Sequence, residues 1–123
     1  MNYVDGFVLP LPKKNLAVYK KMAMLASKVW MDHGALQYCE CVGDDLDAKF
    51  CTPFPKQLKT KAGETVVIAW ITFKSKAHRN KVNAAVMKDP RIAKMMDIGK
   101  MPFDCKRMLY GGFKVLVEGV QRK

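Results

Sequence analysis

The sequence predicts an α+β fold: a ferredoxin-like βαββαβ order, an antiparallel sheet, and helices on one face. Three observations carry this. Alternating or continuous apolar runs of strand length occur four times. Two stretches with apolar residues at helical spacing separate the first run from the second and the third from the fourth. The resulting order is that of two interlocked βαβ units, whose helices pack on the same side of the sheet. The 123 residues suit a single domain spanning 1–123.

Tyr3 to Leu9 reads as the first strand, with Tyr3, Asp5, Phe7 and Leu9 on one face and Val4, Gly6 and Val8 on the other. Pro10 and Pro12 are expected to end it, since proline donates nothing to a ladder. Asn15 is the expected cap of the first helix, with an opening at Pro12 as the alternative. Leu16, Tyr19, Ala23, Ala26, Trp30 and His33 form its apolar stripe, widened by Met22 and Val29. Gly34 suits the C-terminal cap.

Ala35 to Val42 is the second strand. Leu36, Tyr38, Glu40 and Val42 share one face, and Ala35, Gln37, Cys39 and Cys41 the other. A long polar connection from Gly43 to Gly63 follows, with a helical turn expected near Asp47 to Cys51; loops of this length often carry function. Glu64 to Lys74 is nearly continuous in apolar character, as a central strand covered on both faces is. Ser75 caps a second helix, about Lys76 to Lys88, with Ala77, Val82, Ala85 and Val86 inward. Asp89-Pro90 opens a short continuation through Ile92, Met95 and Met96 before Gly99. The last strand runs from Leu109 to about Glu118, and Gly111-Gly112 marks a bulge or a close backbone approach.

Helices on one side leave the other face of the sheet uncovered. That face receives large apolar residues, among them Trp70 or Ile71 and Phe113 or Leu116. A second copy of the chain, packed through the open sheet face, is the simplest cover.

The chain carries 22 basic and 11 acidic residues, a net charge of +11. Eighteen of the basic residues are lysines; Arg79, Arg91, Arg107 and Arg122 complete the set. The lysines spread through helices and loops, which fits a solvated basic surface better than a nucleic-acid stripe with arginines and exposed aromatics. No RNP-type aromatic strand or GXXG loop is present, so no specific nucleic acid is expected. No apolar run reaches about 18 residues, so no membrane segment is expected. The opening residues lack a basic stretch before an apolar one, so no secretory signal is expected. Cys39, Cys41, Cys51 and Cys105 show no zinc spacing and read as free thiols in a reducing, cytoplasmic setting.

Candidate chemistry gathers at a few polar residues. Asp5 and Glu40 interrupt apolar alternations, and a carboxylate turned inward needs a partner or a proton. Lys114 is a possible partner. The pair suits proton transfer or ligand binding; a salt-bridge network in an interface is the plainer reading. His33, at the end of the first helix, reads either as a base at a cavity mouth or as a helix-terminal structural residue. Asp5, His33 and Glu40 are thus the catalytic candidates. In "MPFDCKRMLYGGF", Asp104 caps a turn, Lys106 and Arg107 can hold an anion, and Tyr110 offers a phenol; Cys105 lacks a nearby histidine. Asp44, Asp45 and Asp47 lack the calcium-loop pattern, there is no phosphate-binding glycine motif, and neither metal nor cofactor is expected.

That segment and "YVDGFVLPLP" resemble the YbaA-like family of small uncharacterised bacterial proteins, as do "VWMDHGALQYCECVGDD" and "TVVIAWITFKSKAHRNKVNAAVMKDPR". The resemblance covers essentially the whole chain. It implies a dimeric alpha-beta barrel and a homodimer, in a superfamily that includes cofactor-free monooxygenases, haem-degrading enzymes and stress-related proteins. It supplies no catalytic residues. The combined expectation is a homodimer with a small organic ligand in a cleft beside the sheet, and cofactor-free oxidoreductase or isomerase-like chemistry. The alternatives are a structural dimeric module and a nucleic-acid binder.

Overall fold

In a computed structural model, which describes residues 2–96 and 101–121, the chain forms β1 (Tyr3–Pro12), α1 (Leu16–Asp32), β2 (Gln37–Val42), α2 (Phe54–Leu58), β3 (Glu64–Phe73), α3 (Lys76–Met87), α4 (Pro90–Met96) and β4 (Leu109–Lys114). The four strands form one sheet in the order β2-β3-β1-β4, and every neighbouring pair is antiparallel. The long helices α1 and α3 lie on one face, and α4 packs against both. No helix among the described residues is long and apolar enough to cross a membrane.

The sheet is open, which corrects the dimeric alpha-beta barrel that the resemblance implied. β2 and β4 stand at opposite edges and do not pair. What stands is an α+β layer with an antiparallel sheet and helices on one face.

Strand alternation decides what meets the helices. Asp5, Leu9 and Leu11 of β1 and Ala69, Ile71 and Phe73 of β3 are buried beneath them. Phe73 and Ile71 join Val29, Ala35, Val82, Val86 and Ile92 in the main core, while Leu9, Leu11 and Val67 form a second cluster against Tyr19, Phe103 and Met108. The opposite face carries Ile68, Trp70, Leu109 and Phe113. This settles two alternatives: Trp70 rather than Ile71 lies on the open face, and Phe113 rather than Leu116. Leu116 lies beyond β4, which ends at Lys114 instead of reaching Glu118.

Several boundaries differ for local reasons. β1 continues through both prolines. Lys13 N–H donates toward β3, to Gly63 O, and Asn2 O accepts on the β4 side, from Val115 N–H. Alternation therefore aims the nitrogens of Pro10 and Pro12 at the β4 side, where the β4 ladder has already ended at Val8. The missing donors cost no bond. The helical turn of the long connection falls at Phe54–Leu58 instead of Asp47 to Cys51, because Pro55 favours the first turn and Lys59 closes it in the left-handed region at φ 53°. α2 packs on β1 and β3. Ser75 caps α3, accepting from His78 N–H at 3.1 Å. Asn15 precedes α1, but its side chain does not cap it. Ala77, expected to face inward, is exposed. Gly99, expected to end α4, lies outside the described residues. The Gly111-Gly112 pair is a close approach, not a bulge: a Cβ at Gly112 would stand 2.5 Å from the Tyr3 hydroxyl oxygen, and the β1–β4 register is unbroken.

Candidate functional site

A cleft of about 160 Å³ opens between α1 and the helix-facing side of the sheet. Its walls are apolar: Phe7, Leu9 and Ile71 from the sheet, Met22, Ala26 and Trp30 from α1, and Met95 from α4. The segment before β4 roofs it with Met101, Phe103 and Met108. Unbranched methionines adapt their shape to what enters.

One ionisable acid reaches this lining. Glu40 Oε1 accepts from the Tyr19 hydroxyl at 2.6 Å, and Oε2 accepts from the Tyr38 hydroxyl at 2.7 Å. No basic side chain pairs with Glu40 among the described residues. Burial pushes both phenols well above their ordinary range, and the Glu40 charge and hydrogen bonds push them further. They remain donors at neutral pH. Each carboxylate oxygen keeps a lone pair for a further donor. Tyr19, Tyr38, Ala23 and Glu40 also border a wider groove between α1 and the β2 edge, so Glu40 can be reached from that side.

Asp5 belongs to a separate network on the same face. It is 1% exposed; Oδ1 accepts from Arg79 Nη1 at 3.0 Å and Oδ2 from Asn83 Nδ2 at 3.1 Å. Asn83 Oδ1 in turn accepts from Trp30 Nε1 at 2.9 Å. Arg79 also donates to the Tyr110 hydroxyl at 2.8 Å and lies over the Tyr3 ring, 5.0 Å from its centre. Burial first, then the Asp5 charge, raise the Tyr110 phenol. The structure thus joins Asp5 to Tyr110 through Arg79. It does not join Asp5 to Glu40, since Trp30 and Tyr38, with ring centres 6.0 Å apart, stand between the two networks. Lys114, the partner expected from alternation, sits opposite Tyr3 on the sheet edge and is exposed.

His33 lies in a knot between α1 and α4. Its Nε2 is 2.8 Å from Asp89 Oδ2, Arg91 grips both Asp89 oxygens, and Arg91 Nη1 donates to Asp32 at 2.8 Å. The Arg91 hydrogen bonds, followed by the His33 bond, hold the Asp89 carboxyl far below its usual range.

Arg107 forms a two-pronged pair with Glu64, at 2.7 and 2.9 Å, and a further bond to Lys59 O at 3.2 Å. Asp104 caps the turn, accepting from Lys106 N–H at 3.0 Å. Asn15 Nδ2 donates to Pro102 O at 2.7 Å. These bonds pin the roof of the cleft from both ends, while the Lys106 side chain stays at the surface. Arg107, then the Lys61 amide, lower the Glu64 carboxyl from 4.5 to about 2 against the opposing effect of burial. A depressed acid contributes stability above its unfolded value and loses it as pH falls through the folded one. Urea midpoints are therefore expected to decline between pH 4.5 and about pH 2. Arg107→Ala should remove that part of the decline; an unchanged pH profile in the variant would contradict the assignment.

Sequence reasoning missed Arg79, Asn83, Tyr19 and Tyr38 as polar partners. Arg79 and Asn83 are four apart on α3, a spacing that places both on one helix face and was available to find them.

Comparison with known proteins places this geometry in a family context. A family described as "Protein of unknown function (DUF1428)" matches residues 2–105. The "Uncharacterized protein YbaA" of Escherichia coli K12 is 40% identical over 119 residues, covering 96% of this chain and 99% of that protein. The protein of the same name in Shigella flexneri matches to the same extent. Among solved structures, the "De novo designed protein Foldit4" aligns with a TM-score of 0.46 and 10% identity, covering 94% of this chain and 99% of that one.

Proposed function

The chain belongs to the DUF1428 family of proteins of unknown function, and from its cleft we propose that it binds a small, largely apolar molecule of about one ring, held at one end by Glu40. The carrying observation is a carboxylate without a basic partner among the described residues, fixed by two phenols at the wall of an otherwise apolar cleft. A cavity of about 150 Å³ takes up benzene, so 160 Å³ sets the ligand's size. The free lone pairs of Glu40 call for a hydroxyl or amine donor on the ligand. Glu40 is also the cleft's proton acceptor, which suits isomerase-like proton transfer without a cofactor. Asp5 and Tyr110 support the wall through Arg79 and Asn83, His33 supports it through Asp89, and Arg107 with Asp104 fixes the roof.

The test uses Trp30, which lines the cleft, in a Trp70→Phe background that silences the other indole. Single-ring phenols and anilines should change its emission on titration. A hydrogen bond to a charged group is worth about 1.5–3 kcal/mol. Glu40→Gln should therefore weaken binding by roughly 10- to 100-fold. Ala23→Phe, which fills the space beside Glu40, should abolish it. Equal affinity in wild type and both variants would overturn the reading.

We also propose that two copies pack through the open sheet face. Strands β1, β3 and β4 present Val4, Val8, Ile68, Trp70, Leu109 and Phe113 there, none of them charged. Ile68, Leu109 and Phe113 are 39%, 56% and 61% exposed, an apolar patch that favours a partner of its own kind.

A further inference from the structure

We infer that Cys39 and Cys41 form a two-thiolate site for a soft, thiophilic cation of the copper(I) class. The two residues alternate with Glu40 along edge strand β2, so both thiols leave the sheet on the face away from the cleft. Their sulfurs are 3.8 Å apart, and both residues are partly exposed. Cys39 is registered opposite Trp70 and Cys41 opposite Ile68, so the pair has apolar neighbours on β3, and because β2 is an edge strand its outer side stays open beside the patch proposed to meet a second copy.

The geometry selects the ligand class. A strand rise of about 3.3 Å per residue sets the two Cα atoms about 6.6 Å apart. That is close to the upper limit of about 6.8 Å for a disulfide, so oxidation would strain the strand. A bridging ion asks for less. With metal–sulfur bonds of about 2.3 Å, a linear S–M–S unit spans about 4.6 Å. The sulfurs need only separate by about 0.8 Å, a small χ1 adjustment at an edge strand.

No group of three or more metal-ligating residues occurs among the described residues, so tetrahedral zinc lacks its ligands here. A cation content with two soft ligands is the copper(I) class. On binding, each thiol loses its proton as a sulfur–metal bond forms, and no electron is transferred.

Copper(I), supplied anaerobically to the reduced chain and competed with a chromophoric copper(I) chelator, tests the site. The Cys51→Ser/Cys105→Ser variant should retain one copper per chain. Cys39→Ser/Cys41→Ser should surrender it, and each single variant should do the same. Bound copper should quench Trp70 emission, and Trp70→Phe should lose the quenching while keeping the metal. Circular dichroism matching wild type shows that the variants are folded; Cys39→Ala/Cys41→Ala stands in if serine disturbs the strand. Retention by the Cys39/Cys41 variants equal to that of the Cys51/Cys105 variant would overturn the assignment. So would loss of copper from both.

Discussion

Asp5→Ala is expected to cost about 3–5 kcal/mol of folding stability, a large share of the total of a domain this size. The magnitude follows from what the substitution leaves behind. Arg79 is 15% exposed in its side chain, and its buried Nε already lacks a hydrogen-bond partner among the described residues. Without Asp5 its guanidinium keeps the Tyr110 and Tyr3 hydroxyls as neutral acceptors and has no counter-charge. Asn83 loses its acceptor in the same step and can no longer hold Trp30 as firmly. Urea unfolding measures the loss directly. The double variant Asp5→Leu/Arg79→Met separates charge from packing, because replacing a whole buried ion pair by apolar residues is often close to neutral. Recovery in the double variant identifies an uncompensated charge as the cause. A loss below about 1 kcal/mol in Asp5→Ala would show that solvent reaches Arg79 more freely than its burial indicates.

The inward turn of Asp5 was legible from the sequence, because Tyr3, Asp5, Phe7 and Leu9 alternate with smaller residues. Its partner was not. Arg79 lies 74 residues away, and periodicity reports which face a residue occupies, not which helix lies over it. Lys114 was chosen by the same alternation and does lie on the helix-facing side, but at the exposed sheet edge, away from both acids. Glu40 was likewise legible as inward-facing. That Tyr19 and Tyr38 converge on it depends on how α1 crosses β2, which no local pattern contains. The turn at Phe54–Leu58 was readable in principle, since Pro55 favours a first helical turn. The barrel came from the resemblance and not from the strand count, and four strands in an open order do not supply it.

The open face carries the second large effect. Wild-type chain at micromolar concentration should scatter light as a dimer, and Phe113→Asp as a monomer. The Phe113 ring lies over Gly6 and Gly111, where a Cβ at either position would stand 3.3 Å from it. The two glycines make a shelf that keeps the ring low and the face flat enough for a second copy. A two-fold interface uses the same patch twice, so each substitution counts twice. Losing a buried phenylalanine costs about 2–3 kcal/mol per copy, or roughly 10³- to 10⁴-fold in dissociation constant for the pair. An unpaired carboxylate in the same place adds to that. The chain itself should remain folded, because Phe113 is already 61% exposed and lies outside both core clusters. The cleft opens on the other side of the sheet, so Trp30 should report unchanged ligand binding in Phe113→Asp. A wild-type monomer, or a Phe113→Asp dimer of undiminished affinity, would remove the second copy as the cover for this face. Loss of ligand binding together with the dimer would instead show that the cleft needs its partner.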